Sequence, residues 1–250
     1  MPAVFERNVA DGVHRLAHAA VNVYLIEDDS GVTVVDTGLP ATFRHIESAL
    51  GQLGRSAEDV AAVVLTHAHF DHVGSARRAR QRWQVPVWVH AADQYLAAHP
   101  YRYAHERSRL MYPLRYPRSI RYQAKMAASG ALLVRGITDT TCYGAGSVLD
   151  VPGRPRVVFS PGHTLGHCGL HLADRSTLIS GDALVTLDPY TGVAGPQIVS
   201  GAATADSSEA LASLTALADT GAKTVLPGHG EPWLDGVASA VQAALRAGPS

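Results

Sequence analysis

Thr66-His67-Ala68-His69-Phe70-Asp71-His72 follows the apolar run Val60-Ala61-Ala62-Val63-Val64-Leu65, and its reading decides the fold. Three imidazoles and one carboxylate fall within six residues, directly after a segment that reads as a buried β-strand. The pattern returns downstream in pieces. Pro161-Gly162-His163, Gly181-Asp182 and Pro227-Gly228-His229-Gly230 each follow a short apolar segment of strand character. Four strand-end loops that offer His or Asp are what a metal site at one edge of a sheet requires. Neutral imidazole and carboxylate suit zinc, and also iron, manganese or cobalt. One such loop in a chain with 13 histidines would carry little weight; the four together point to a metal centre.

The chain has 250 residues, enough for one large domain or two small ones. With 46% apolar and 17% charged residues it fits a soluble globular enzyme. A formal net charge of −1 gives no whole-surface reason to expect nucleic acid or an anionic membrane as partner. The two cysteines, Cys142 and Cys168, form no Cys-x-x-Cys pair, and a chain of this size needs no disulfide staple. Residues 1–7 lack a basic segment followed by an apolar one, so no signal peptide, no membrane span and a cytoplasmic location are expected. Nothing spells a Ser–His–Asp triad, a phosphate-binding Gly-rich loop or a dinucleotide fingerprint.

Outward from the His cluster, residues 12–18, 20–27 and 32–35 read as strands, with Asp28-Asp29-Ser30-Gly31 as a turn. Residues 40–53 have Phe43, Ile46, Ala49, Leu50 and Leu53 at helical spacing. Residues 74–83 read as a helix and 85–89 as a strand. Strands are expected at 148–151, 156–159, 168–172, 176–180 and 223–226, and helices at about 207–220 and 235–247. Asp206 is placed to cap the first of these, with Glu209 as its capping-box partner. Two runs of strands, each followed by helices, with every ligand loop at one edge, predict an α+β fold of four layers, αββα. The expectation is a single domain over residues 1–250, its two halves meeting at the metal site. Residues 95–136 differ in character: rich in Arg and Tyr, poor in strand signals and broken by Pro100, Pro113 and Pro117, they read as an insertion of short helices.

His67-Ala68-His69-Phe70-Asp71-His72, with His163, Asp182 and His229, resembles the complete ligand set of the metallo-β-lactamase superfamily. Asp36-Thr37-Gly38 resembles that superfamily's first motif. Pro161-Gly162-His163-Thr164-Leu165-Gly166-His167 is similar to a motif of its glyoxalase II-like subgroup, with Leu165 in place of Pro. The likeness spans roughly residues 12–235 and does not clearly include 95–136. It implies that His67, His69 and His163 bind one metal, Asp71, His72 and His229 a second, and that Asp182 bridges them. Two zinc ions are implied, with iron or manganese as other occupants. Such a pair needs ~3 protein ligands each plus a shared carboxylate, at a separation of about 3.5–4 Å. The implied activity is a metal-dependent hydrolase whose bridging hydroxide attacks the carbonyl carbon of a thioester, lactone, ester or amide.

Departures weigh on the substrate. Glyoxalase II enzymes carry a C-terminal helical extension for glutathione, whereas about twenty residues follow His229 here. Acyl-homoserine lactonases of this superfamily have a Tyr three residues after the bridging Asp; Val185 stands there. True β-lactamases of the fold are usually exported. The rival class is a persulfide dioxygenase-like oxidoreductase holding one iron on His67, His163 and Asp182. A non-catalytic member would show an eroded ligand set, and none of the set is eroded.

The remaining candidates are weighed individually. Asp71 and Asp182 are candidate catalytic carboxylates, and Tyr190 a candidate donor to a substrate oxygen as well as a plain turn residue. His167 reads as a residue supporting the ligands, Asp36 as an acceptor for a ligand His, and Cys168 as a small buried strand residue. The insertion reads either as a lid that lines the pocket and attracts an anion, or as a solvated face or homodimer contact. A small molecule, with an anionic one favoured by the Arg content, is the expected partner.

Overall fold

The computed structural model describes residues 2–250. Strands β1 (Val4–Ala10), β2 (Val13–His18), β3 (Val21–Asp28) and β4 (Gly31–Val35) form an antiparallel meander. Helix α1 (Phe43–Gln52) crosses over to β5 (Val60–Val64), which runs parallel to β4. The short α2 (Phe70–Val73) and α3 (Ala76–Trp83) lead to β6 (Val87–His90). Residues 91–140 carry α4 (Gln94–Ala98), α5 (Tyr112–Arg115) and α6 (Ile120–Ala128) before β7 (Thr141–Tyr143) closes the first sheet, in order β1-β2-β3-β4-β5-β6-β7. The second sheet comprises β8 (Arg156–Phe159), β9 (Cys168–Leu172), β10 (Thr177–Gly181) and, after a ribbon of β11 (Val185–Leu187) and β12 (Ala194–Gln197) and helix α7 (Ser207–Ala218), β13 (Thr224–Pro227). Its order is β13-β10-β9-β8, and α8 (Val237–Ala247) follows.

Period-two alternation stacks these elements in layers. On β3, Val23 and Leu25 face outward with Phe43 and Ile46 of α1 and Trp83 of α3. Tyr24 and Ile26 face inward, against Leu170, Ile179 and Leu226 of the second sheet. The far side of that sheet, through Leu178 and Val225, packs on Leu214 and Leu217 of α7 and Val241 of α8. Each of these large side chains contributes about 1.5–3 kcal/mol by leaving water. The result is the αββα arrangement of the sequence reading.

Differences lie at the margins. Residues 148–151 form one isolated bridge, Val148 to Arg156, because Pro152-Gly153 turns the chain before a ladder can extend. Strands β1, β7, β11 and β12 escaped the reading; they are short or lack strict alternation, and pairing partners define them. Asp206 caps α7 as expected, accepting from the backbone N–H of Glu209, but its own backbone N–H donates to the Gly162 carbonyl and not to the Glu209 carboxylate. Among the described residues, no helix is long and apolar enough to cross a membrane.

Candidate metal centre

Seven side chains read from the sequence converge where the strand ends meet. His67 and His69 lie in the loop leaving β5, Asp71 and His72 on α2, His163 after β8, Asp182 after β10 and His229 after β13. All seven are at most 5% exposed. Asp182 sits at the centre. Its Oδ2 is 3.1 Å from His229 Nε2, 3.5 Å from His163 Nε2 and 3.9 Å from His67 Nε2; its Oδ1 is 3.5 Å from His72 Nε2. Asp71 Oδ2 is 3.4 Å from His229 Nε2. Donor atoms lie within 4.8 Å of one another in three sets: His67, His69, His163; His67, His72, Asp182; and Asp71, His72, His229.

Outer hydrogen bonds fix the rings. His72 Nδ1 donates to Asp36 Oδ2 at 2.9 Å, and His229 Nδ1 to the Ala20 carbonyl at 2.6 Å. Thr66 Oγ1 donates to Asp36 and Thr204 Oγ1 to the Val199 carbonyl, so each hydroxyl oxygen accepts, from His67 Nδ1 at 3.1 Å and His163 Nδ1 at 3.3 Å. With Nδ1 protonated, a neutral imidazole aims its Nε2 lone pair inward. The Nε2 atoms of His67, His69, His72 and His163 and Oδ1 of Asp182 are buried without a hydrogen-bond partner. A buried acceptor left unmade costs about 1–3 kcal/mol, so five at one point mark a place made for cations. The residues present fit a divalent metal.

Electrostatics agree. Burial pushes His67 and His69 well below the usual imidazole range and His163 down to about 4. Burial would also lower His72 and His229, but the carboxylates around them outweigh it: Asp182, Asp36 and Asp71 raise His72 well above the usual imidazole range, and Asp182 and Asp71 raise His229. Burial alone would raise Asp182, yet His229 and His72 keep it ionised, well below the carboxylate range. A metal at such a site competes with protons for the same lone pairs, so its affinity depends on pH.

The backbone is shaped for this packing. Asp36 is held at φ 58°, where Asp is among the tolerated residues, and accepts from Thr66 N at 2.8 Å. A Cβ at Gly228 would run into Asp182 Oδ1 and His72, so only glycine lets that loop pass. His167 supports the site: its Nε2 accepts from the backbone N–H groups of Asp182 and Ala183 at 2.9 and 3.1 Å, and its Nδ1 contacts Ser160. Cys168 is a buried strand residue whose thiol burial pushes up to about 12. Tyr190 lies beside Tyr103. Its hydroxyl is 3.4 Å from that of Tyr103, whose ring centroid lies 4.4 Å from that of His69.

Sequence reasoning missed Asp93. It is 1% exposed and accepts from Ala68 N at 3.1 Å, Thr164 Oγ1 at 2.8 Å and Gly166 N at 2.8 Å. One carboxylate thus ties the His67–His69 loop to the His163 loop. Its signal was position alone, an Asp shortly after the Val87–His90 strand with no histidine motif around it.

Known proteins resemble this chain in sequence and fold. A 29% identical protein of Bacillus subtilis (strain 168), the probable metallo-hydrolase YflN, matches over 243 residues, 89% of this chain and 85% of its own. A hydroxyacylglutathione hydrolase of Gloeobacter violaceus is 32% identical over 176 residues, 69% of this chain and 52% of its own. The crystal structure of a metallo-beta-lactamase family protein from Thermus thermophilus, TTHA1429, superposes with a TM-score of 0.68 at 26% identity, over 93% of this chain and 77% of that one. The family model for the metallo-beta-lactamase superfamily matches residues 18–229, from the end of β2 to the last candidate ligand. Fold, ligand geometry and family match coincide, and the chain belongs to the metallo-β-lactamase superfamily.

Proposed function

We propose that this protein is a hydrolase that uses two divalent metals, zinc in the first instance, to cleave an ester-like bond of a small molecule: a thioester, lactone, ester or amide. The observation that carries the reading is the set of inward, unpartnered Nε2 atoms around the Asp182 carboxylate. His67, His69 and His163 would hold one metal, Asp71, His72 and His229 the other, and Asp182 both. Bound there, the pair supplies Lewis acidity and lowers the pKa of water from 15.7 to roughly 7. Asp36, Thr66, Thr204 and the Ala20 carbonyl keep the rings aligned. Asp71, beside the attacking water, would take its proton and hand it to the leaving atom. Burial raises Tyr190 and Tyr103, so both stay phenols, and Tyr190 would donate to a developing oxyanion on exchanging its Tyr103 partner for substrate.

The Pro161–His167 motif and the hydroxyacylglutathione hydrolase relative favour a glyoxalase II-like substrate, in which a thioester is opened. We also place the protein in the cytoplasm, as one domain, with residues 95–136 as its lid. A mononuclear iron oxidoreductase remains the rival, but it has no use for Asp71, His72 and His229 gathered as a further set. Elemental analysis of protein purified without added metal, beside a screen of thioesters, lactones, esters, amides and persulfides, tests the reading. About two zinc ions per chain with chelator-sensitive hydrolysis is the expected result. One iron per chain with oxygen uptake on persulfide would replace it.

A further inference from the structure

A cavity of about 380 Å³ lies against the insertion side of the metal centre. Phe70, Tyr103 and Tyr190 form one wall, Met126 lines it, and Leu110 and Leu132, 83% and 80% exposed, stand at its mouth. The wall is shared with the metal centre. Phe70 is flanked in the chain by His69 and Asp71, and the Tyr103 ring packs on His69. Its tyrosines spend their polar ends elsewhere: Tyr103 and Tyr190 face each other at 3.4 Å, and Tyr101 donates to the Ala131 carbonyl at 2.8 Å. Apart from Gln123 and Arg109, what lines the cavity is ring face and aliphatic carbon, in a volume within the usual range for small-ligand pockets, about 300–1,000 Å³.

One cation, Arg109, stands in the lining. Arg109 lies 4.6 Å over the Tyr103 ring and donates to its hydroxyl at 2.8 Å. Residues 95–136 carry eight Arg and Lys against one acid, Glu106, in a chain whose net charge is −1. Leucines about four-fifths exposed at the mouth of an apolar cavity, beside Arg109, suit an amphiphile entering chain first.

Resting on the hydrolase reading, we infer that this cavity holds the apolar acyl arm of the substrate, which makes the substrate an ester or thioester of a medium-length straight-chain acid. The acyl carbonyl stays at the metal centre, and the chain runs past Phe70 and Tyr103 toward Leu110 and Leu132. The continuity of the wall with the ligand loop is what assigns the cavity to substrate and not to a second copy of the chain.

Straight-chain carboxylates from butanoate to decanoate, titrated calorimetrically into the protein as purified and after chelation, test this without turnover. Affinity is expected to rise about fourfold per added methylene until the cavity is full. Ala127→Trp, at an exposed α6 position lining the cavity, and Leu132→Asp are expected to abolish the chain-length dependence with metal content and Tm unchanged. A rising series in a protein that hydrolyses none of the screened bonds would sustain the cavity assignment while the hydrolase reading falls. Flat affinity from butanoate to decanoate, with hydrolysis of short acyl esters intact, would overturn the assignment alone. So would variants that leave carboxylate binding untouched but dissociate a dimer in sedimentation, since the cavity would then be a subunit contact.

Discussion

Asp36 Oδ2 lies 2.9 Å from Nδ1 of His72, and the same carboxylate takes the Thr66 hydroxyl and backbone N–H. A residue at the end of the fourth strand therefore orients imidazoles from the loop and helix that follow the fifth. Asp36→Ala frees the His72 ring and removes the partner that keeps Thr66 aligned on His67. Metal affinity at the His72 half of the site should fall about 10–100-fold. Competitive chelator titration followed by elemental analysis reads this; two metals held at wild-type strength would show that Asp36 does not orient the ligand.

Asp182→Ala removes the carboxylate within 4 Å of four imidazole Nε2 atoms. It is expected to lose both metals, or nearly so, whereas His229→Ala should lose mainly the one held with Asp71 and His72. Two full equivalents in purified Asp182→Ala would refute the bridging assignment.

Asp93→Ala leaves two backbone N–H groups and the Thr164 hydroxyl without their charged acceptor. Hydrogen bonds to charged groups contribute about 1.5–3 kcal/mol each. A loss of about 3 kcal/mol in urea unfolding is expected, with kcat reduced and metal retained but more weakly held. Unchanged stability would mean that the two loops hold their positions independently.

Tyr190→Phe and Tyr103→Phe keep the rings and delete the paired hydroxyls. If Tyr190 donates to the oxyanion, its loss should lower kcat by about 10²-fold with KM and metal content steady. Tyr103→Phe also frees Arg109 and should act chiefly on KM. Equal and minor effects from both would reduce the pair to packing.

His18 supplies a pH test away from the ligands. Burial first, then the neighbouring His45, lower its pKa from 6.5 to about 4. Between those values the unfolded chain binds a proton that the folded protein refuses. The stability it contributes is complete above pH 6.5 and is lost as pH falls toward 4. His18→Asn, which retains an acceptor or donor for Thr42 Oγ1, should flatten the decline of Tm across that window. A decline as steep as in wild type would place the acid sensitivity in other groups.

Much of this arrangement was legible beforehand. The segment from Thr66 to His72 names four candidate ligands because the local pattern is dense, and the apolar alternation of β3 and the helical spacing of α1 state which faces are buried. Those features are local: spacing along the chain fixes the period, and the period fixes the face. What the sequence could not state depends on contacts between distant segments. Ala19 and Ala20 both take positive φ, 54° and 68°, in a turn without Asn or Gly, and only there does the Ala20 carbonyl meet His229, 209 residues away. Asp93 carries no motif because its three partners come from two other loops. The cavity beside Phe70 exists because residues 101–132 fold back over the ligand loop, a long-range packing outcome that composition only hints at. By itself the sequence determined the candidate ligand set, the layer order and the strand-end placement of the cluster. Tertiary structure alone decided which outer groups aim each imidazole and what shape of molecule can approach, because hydrogen-bond partners and cavity walls are assembled from segments whose separation in sequence carries no periodic signal.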